Sequence, residues 1–292
     1  MTMQIETSLG PVAVAVRGAG PALVLLHANP GDHRDYDAVL PALARRHTTY
    51  AVDWPGYGDS PPATARLAVR TGSVGATAGP GSAAPPATGR EVSAMGFAAI
   101  VPEILDGLGL RRAAVIGNSV GGYAAAGLAL ARPAAVTALV LVNSGGFSRL
   151  GGPLTRGVIR LMGTEPAVRA ASGRMPRFYL RRRTGTVREM ISRDAARRHD
   201  PRTIAVEAAL WRSFASPDHD LRVRAGAITA PTLLVWGTRD PMVGMDVRRV
   251  RRALPQGIWC PLPTGHAPFA EAPARFLDAV LPFLQDAAHR AD

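Results

Sequence analysis

Short, continuously apolar runs alternate with stretches of helical periodicity along most of this chain. Residues 22–26 contain no polar side chain, as expected of a strand buried on both faces of a sheet. Helical spacing follows in residues 35–45. The pattern repeats, with candidate strands at 49–53, 113–117, 136–143, 232–236 and 257–262 and candidate helices at 90–109, 119–131, 246–253 and 273–288. This alternation predicts an α/β fold whose mostly parallel central sheet has helices on both faces.

Three segments depart from the alternation. Apolar residues at alternate positions in 3–7 and 12–16, separated by Leu9-Gly10-Pro11, predict an antiparallel hairpin. Residues 61–89 are rich in Ala, Gly, Pro, Ser and Thr, which predicts a surface excursion. Residues 145–224 have helical patterns without strand alternation. We therefore predict a helical cap at 145–224, inserted into an α/β core made of residues 1–144 and 225–292.

Length and composition are those of an ordinary globular protein. The chain has 292 residues, 47% of them hydrophobic and 19% charged. It has no apolar run of the roughly 18 residues that cross a bilayer, and residues 1–10 lack the features of a signal peptide. We therefore expect a cytoplasmic protein with no membrane partner. The single cysteine, Cys260, has no internal disulfide partner and lies in an apolar stretch, so we expect it to contribute to packing.

The positive charge comes entirely from arginine, because the sequence contains no lysine. The net charge is +12, and residues 147–222 hold +9 of it with 16 arginines and seven acidic residues. A basic protein could bind nucleic acid, but no helix-turn-helix, zinc-finger spacing or RNA-binding aromatic motif accompanies the charge. We expect no nucleic-acid partner, and we interpret the arginines mainly as a solvated face.

The strongest chemical motif is Gly117-Asn118-Ser119-Val120-Gly121, which joins an apolar strand to a helix of small residues. This Gly-x-Ser-x-Gly pattern is typical of a nucleophile elbow, a sharp turn that exposes the serine. The residues two before and two after the serine must be small, because the chain passes very close to itself there. We predict that Ser119 is a nucleophile.

Two further segments extend this pattern. Residues 25–31, Leu-Leu-His-Ala-Asn-Pro-Gly, follow a predicted strand, and residues 53–60 read Asp-Trp-Pro-Gly-Tyr-Gly-Asp-Ser. With the elbow, they resemble the α/β-hydrolase family over nearly the whole chain. The resemblance implies an oxyanion hole formed by the backbone N–H groups of Asn29 and Val120, with His27 bracing the loop. Ala28 departs from the family, which usually has glycine there.

The same resemblance implies the rest of a catalytic triad. Asp240 follows the late strand 232–236, whereas Asn143, at the end of the preceding strand, cannot supply a charged acid. His266 lies in a Gly-His loop between the last strand and the final helix, with Glu271 shortly after it. The order Ser119, Asp240, His266 is that of α/β-hydrolases. The other candidate histidines have no partner pattern and are expected to face solvent: His33, His47, His199, His219 and His289.

These residues predict a serine hydrolase that forms an acyl-enzyme, with His266 as general base and Asp240 orienting it. Its expected substrate is a small acyl compound, first of all a carboxylic ester. Carbon–carbon hydrolase, peptidase, thioesterase, cofactor-free perhydrolase, acyl-transfer or lyase chemistry stays open, as does a non-catalytic ligand-binding role. No dinucleotide-binding, P-loop or His-Glu-x-x-His motif is present, so we expect no cofactor or metal. The sequence does not identify the substrate-binding residues or the oligomeric state.

Overall fold

The chain forms a large mixed sheet with helices packed on it. The computed structural model describes residues 1–64, 66–67, 91–148 and 152–290. The strands are β1 (Thr2–Ile5), β2 (Val12–Arg17), β3 (Ala22–Leu26), β4 (Thr48–Val52), β5 (Arg66–Leu67), β6 (Glu91–Val92), β7 (Ala113–Asn118), β8 (Val136–Val142), β9 (Thr232–Gly237) and β10 (Ile258–Leu262). The α-helices are α1 (Leu40–Ala44), α2 (Ala94–Gly107), α3 (Val120–Ala131), α4 (Pro153–Met162), α5 (Glu165–Ala171), α6 (Met175–Tyr179), α7 (Gly185–Arg197), α8 (Pro201–Ser213), α9 (Val247–Ala253), α10 (Pro268–Glu271) and α11 (Pro273–His289).

The main sheet has eight strands in the order β1-β2-β4-β3-β7-β8-β9-β10. The pairs β1–β2 and β2–β4 are antiparallel, and every later pair in this order is parallel. The predicted hairpin and the predicted, mostly parallel sheet are therefore both confirmed. Because β3, β7, β8, β9 and β10 run in the same direction, the loops after them meet at one edge of the sheet.

The hydrophobic core lies on both faces of this sheet. Leu23 and Leu25 of β3 point into one apolar cluster, which also contains residues of α1 and α11. Val24 and Leu26 point into the other, with residues of α2 and α3. Side chains alternate between the two faces of a strand, and all four of these are fully buried. This explains why the strand is continuously apolar in sequence.

Some predicted bounds were wrong. The helix predicted at residues 35–45 is divided into a 3-10 turn, His33–Tyr36, and the short helix α1. Pro41 lies in the first turn of α1, where its missing N–H does no harm, whereas in the middle of one long helix it would break the hydrogen-bond ladder. The helix predicted at 90–109 begins only at Ala94, where the Ser93 side chain caps it by accepting the Gly96 N–H.

Five helices, α4 to α8, lie between β8 and β9, and no strand occurs among the described residues of that segment. We refer to residues 153–213 as the helical insert. Its role as a cap stays a prediction. The surface excursion predicted for residues 61–89 lies mostly outside the described residues. Within the described part of the chain, no helix combines the length and apolar character needed to span a membrane.

Candidate active site

Ser119 occupies a strained turn between β7 and α3. Its backbone has φ +55° and ψ −115°, a conformation that residues other than glycine rarely adopt. A Cβ at Gly117 would overlap the carbonyl oxygen of Gly121, and one at Gly121 would overlap the carbonyl oxygen of Leu26. The close approaches that the motif predicted are therefore present. They press the start of α3 against the end of β3, where the loop of residues 27–31 begins.

Asp240 and His266 come together from two different loops. His266 Nδ1 lies 2.7 Å from Asp240 Oδ2, and both side chains are buried. The same carboxylate accepts the N–H of Met242 and the side-chain amide of Asn143, each at 2.7 Å. Burial opposes ionisation of Asp240, but the adjacent imidazole and these hydrogen bonds outweigh it and lower its pKa. Asp240 is therefore an ionised acceptor that fixes Nδ1–H on the histidine, leaving Nε2 able to accept a proton.

The loop that carries His266 is bound to both the elbow and the helical insert. Asn118 Nδ2, from the residue before Ser119, donates to the carbonyl oxygen of His266 at 3.0 Å. On the insert side, the His266 N–H donates to the carbonyl oxygen of Tyr179, whose ring packs edge-on against the imidazole with centroids 5.3 Å apart. The hydrogen bond from Asn118 to the carbonyl oxygen of His266 thus holds the histidine and the elbow at the same edge of the sheet.

Glu271, which the sequence analysis noted shortly after His266, is a buried acceptor for backbone N–H groups. Its Oε2 accepts from Gly265, Arg181 and Arg182 at 2.9–3.0 Å, and Oε1 accepts from Ala267 at 3.3 Å. One carboxylate therefore joins the histidine loop to the helical insert.

The loop after β3 is braced by His27, as expected. Its Nε2 accepts the backbone N–H of Trp54 at 3.1 Å, so Nδ1 carries the proton and donates to the carbonyl oxygen of Ala28 at 2.7 Å. Burial lowers the pKa of His27 to about 4, so the ring is neutral. Further along, Asn29 Oδ1 accepts the Tyr57 hydroxyl at 2.5 Å. Val120 is the first residue of α3, where a backbone N–H has no acceptor within the helix.

A sequence model described as alpha/beta hydrolase fold matches residues 21–273. The chain belongs to the alpha/beta-hydrolase fold family. The family confirms the fold class predicted from the sequence, and the eight-stranded sheet has the expected parallel order.

The chain is also similar to individual members of the family. Over 217 residues it is 32% identical to the 2-hydroxy-6-oxononadienedioate/2-hydroxy-6-oxononatrienedioate hydrolase of Cupriavidus pinatubonensis, covering 72% of this chain and 65% of that protein. It is 36% identical over 152 residues to the protein of the same name in Paraburkholderia xenovorans, covering 49% of this chain and 51% of that one. A thermophilic esterase from Thermogutta terrifontis superimposes with a TM-score of 0.75 and 20% identity over 98% of this chain and 99% of its own. The chain thus spans between half and two thirds of these curated relatives, and the solved structure supports the fold alone.

In this alpha/beta hydrolase, the expectation of solvent-facing histidines was wrong at three positions. His219 is only 6% exposed, stacks on Tyr123 with ring centroids 4.7 Å apart, and has a pKa lowered to about 4 by burial. His47 is buried, and His33 is half-buried with Nδ1 2.8 Å from Asp53. His199 and His289 are exposed. Tyr123 and Asp53 lie far along the chain from His219 and His33, so no local sequence pattern predicted these two contacts.

His33 and Asp53 also belong to a group of potential metal ligands in the described part of the chain. With Asp59, they place ligand atoms within 4.8 Å of one another. Asp53 already accepts the His33 and Asp59 N–H groups and the His33 ring hydrogen bond. These contacts stabilise the loop itself.

A buried set of ion pairs, missed by sequence reasoning, joins the helical insert to the loop after β3. Arg193 and Arg197 of α7 reach Asp32 at 3.2 and 2.8 Å, and Arg193 also reaches Asp35 at 2.8 Å. Burial opposes ionisation of Asp32, but the arginines, Arg34 among them, lower its pKa. Burial raises the pKa of Asp35 to about 7. The sequence did place Arg193 and Arg197 four residues apart, and residues with that spacing share one face of a helix.

Proposed function

We propose that this chain is a serine hydrolase that forms an acyl-enzyme on Ser119 and acts on a carboxylic ester. The observation that carries the proposal is the 2.7 Å contact of His266 Nδ1 with Asp240, beside a serine held in a strained turn at the same edge of the sheet. In this arrangement Ser119 is the nucleophile, His266 the general base and Asp240 the group that fixes the imidazole tautomer.

In the first half of the reaction, Ser119 Oγ attacks the ester carbonyl carbon while its proton passes to His266 Nε2. The carbonyl oxygen gains the negative charge, and the backbone N–H groups of Asn29 and Val120 stabilise it. Each such donor contributes about 2.7–4 kcal/mol of transition-state stabilisation. The imidazolium then protonates the leaving alcohol as the carbon–oxygen bond breaks.

In the second half, water attacks the acyl carbon and gives a proton to His266. The tetrahedral intermediate collapses, the carboxylic acid leaves, and the proton returns to Ser119 Oγ. The predicted cap of residues 145–224, which contains the helical insert, would form the wall of the substrate pocket opposite the elbow.

Carbon–carbon bond hydrolysis is a second candidate, favoured by the names of the curated relatives. A 2-hydroxy-6-oxononadienedioate has no ester, thioester or amide, so its hydrolysis breaks a carbon–carbon bond. The same serine, histidine and aspartate could serve that reaction. A carboxylic ester is still the first candidate substrate, because Ala267 occupies the position where hydrolases of ring-fission products usually have an aromatic residue.

A substrate panel separates the two candidates. Initial rates are measured for p-nitrophenyl esters of increasing acyl length, an acyl thioester and a 2-hydroxy-6-oxo-dienoate ring-fission product, each at several concentrations. The ester proposal predicts the highest kcat/KM for one of the esters. A kcat/KM at least tenfold higher for the ring-fission product would favour carbon–carbon hydrolysis instead.

Covalent labelling tests the nucleophile. A fluorophosphonate probe should label wild type and Ser192→Ala, a matched control at an exposed serine of α7, but not Ser119→Ala. Ester hydrolysis should be lost with the label, because no neighbouring side chain can replace the serine alkoxide. Undiminished labelling of Ser119→Ala would overturn the assignment.

A further inference from the structure

Helix α4, the first helix of the helical insert, has an apolar stripe that faces solvent. Leu154, Val158 and Leu161 are 82%, 43% and 62% exposed. They are spaced at i, i+4 and i+7, so their side chains lie along one side of the helix. Large apolar side chains that remain exposed on a protein surface are usually scattered singly. A row of three on one ten-residue helix therefore indicates a surface that another molecule covers.

The stripe is separate from the side of α4 that packs on the rest of the protein. Ile159 and Met162 are buried in an apolar cluster with residues of α5 and α8. Successive residues of a helix are rotated by about 100°, which places this buried side about 100° around the helix from the exposed stripe. The helix is thus already anchored by one apolar side, and the second apolar side contributes nothing to its packing.

The surface of this part of the insert is strongly basic. Residues 153–183, which contain α4, α5 and α6, have eight arginines and one acidic residue, Glu165. All eight arginines are exposed, and none of them forms an ion pair with another described residue. On α4 itself, Arg156 and Arg160 are one turn apart and lie on a third side of the helix. The apolar stripe is therefore surrounded by positive charge that the protein does not neutralise.

These two properties together determine the chemistry of the partner. A helix with aliphatic side chains on one side and arginines on another binds in the plane of a lipid surface, with its apolar side among the acyl chains. The long arginine side chains reach the headgroup level, and anionic headgroups attract them.

A second copy of this chain fits the same surface less well. A symmetric dimer brings the same surface of both copies together, so the eight arginines of one copy would face those of the other. Like charges that face each other across an interface oppose association. In addition, three apolar side chains are far fewer than the roughly 20–30 residues on each side of a stable protein–protein interface.

We propose that α4 is a docking surface for an anionic phospholipid membrane, bound through Leu154, Val158 and Leu161 and attracted by the surrounding arginines. Such binding needs no spanning segment, and it agrees with the lack of a membrane-spanning helix in the described residues. It differs from the sequence-based expectation of no membrane partner, which rested on spanning segments and signal peptides alone. It does not depend on the proposed hydrolase function, so Ser119→Ala should bind lipid vesicles as wild type does.

Vesicle flotation tests the apolar stripe. The probe is a vesicle of equimolar phosphatidylcholine and phosphatidylglycerol at about 0.1 M salt, and the bound fraction gives a partition coefficient. Changing Leu154, Val158 and Leu161 together to glutamine, a good helix former, should lower this coefficient by at least about tenfold. The control changes Val223 and Ile258 to glutamine, because both are exposed apolar residues outside 153–183, and it should bind as wild type does. Equal binding by the stripe variant and this control would overturn the proposal, as would a lack of wild-type binding.

A matched pair of variants tests the arginines. Arg156→Gln with Arg160→Gln should lower the partition coefficient by about fivefold for each arginine. Arg248→Gln with Arg252→Gln removes the same charge at the same spacing from exposed positions of α9, and it should have a much smaller effect. Wild-type binding should also weaken on vesicles of phosphatidylcholine alone, and at about 1 M salt, where the Debye length is about 3 Å. Equal losses from the two arginine pairs would show only the general attraction of a basic protein and would overturn α4 as the docking surface.

The mass of the protein in solution tests the alternative occupant. The proposal predicts that wild type and the stripe variant have the same mass by light scattering in the absence of lipid. A wild-type dimer that the stripe variant converts to a monomer, together with no binding of wild type to the anionic vesicles, would show that a second copy covers the stripe. The changed side chains are all exposed, so both variants should fold, and their urea unfolding midpoints should equal that of wild type.

Discussion

Asn143 Nδ2 donates to Asp240 Oδ2 at 2.7 Å, and that same oxygen lies 2.7 Å from His266 Nδ1. Asn143 is itself held, because its Oδ1 accepts the Gly237 N–H at 2.7 Å and its side chain is fully buried. Its backbone has φ +40°, an unusual conformation for a residue other than glycine. Asn143, which cannot itself supply a charged acid, therefore orients the carboxylate of the candidate acid Asp240.

We expect Asn143→Ala to lower kcat by about 10- to 100-fold with little change in KM. The loss corresponds to one hydrogen bond to a charged group, about 1.5–3 kcal/mol. A purely structural role would instead lower the free energy of unfolding and leave the kcat of the folded enzyme unchanged. Steady-state kinetics and urea unfolding of the same preparation distinguish the two results, and a wild-type kcat would contradict the positioning role.

Glu207 should make the stability of the protein decrease as the pH rises. Its folded-state pKa of about 8 lies above the ordinary value of 4.5, so between these values the unfolded state releases a proton that the folded state keeps. This contribution to the free energy of unfolding is fully present below about pH 4.5. It decreases between about pH 4.5 and pH 8, by up to about 1.4 kcal/mol per pH unit.

Glu207→Gln removes that proton and should therefore gain stability over wild type as the pH increases. Urea unfolding at pH 5 and pH 8.5 measures the difference, which should be small at the lower pH and a few kcal/mol larger at the higher one. Glu189→Gln is the exposed control and should follow wild type at both. A pH-independent difference between Glu207→Gln and wild type would show that Glu207 keeps an ordinary pKa.

Glu271→Ala should cost about 2–4 kcal/mol in the free energy of unfolding. It removes a carboxylate that accepts four backbone N–H groups, and in the described structure these groups of Gly265, Ala267, Arg181 and Arg182 would lose that acceptor. Turnover should fall as well, because two of the four flank His266. Glu189→Ala is the matched exposed control, and a stability equal to wild type in Glu271→Ala would contradict the bracing role.

The exposed arginines of the helical insert should not select anionic substrates. Arg181 and Arg183 each donate to backbone carbonyl oxygens, and Arg181, Arg182 and Arg183 are all solvent-exposed. Replacing the three by glutamine should change kcat/KM equally for an anionic and a neutral ester, at low salt and at about 0.15 M, where the Debye length is about 8 Å. A loss confined to the anionic ester and abolished by salt would show electrostatic steering.

The sequence by itself predicted the strands of the sheet and the elbow around Ser119, because both depend on neighbours in the chain. A strand buried on both faces must be continuously apolar, and a turn that brings Gly117 onto Gly121 admits no side chain at either place. It also placed Asp240 and His266 on loops after parallel strands, at one edge of the sheet, where the structure brings them together.

Only the tertiary structure decided which polar groups are paired and which are left without a partner. Asn143 and Asp240 are 97 residues apart, and the Tyr57 hydroxyl meets Asn29 across 28 residues of chain. The burial of His219 depends in the same way on the ring of Tyr123, which comes from a distant segment and stacks on the imidazole. The cost of burying a polar atom depends on what surrounds it in space, and hydrophobic periodicity carries no information about a partner far away in the chain.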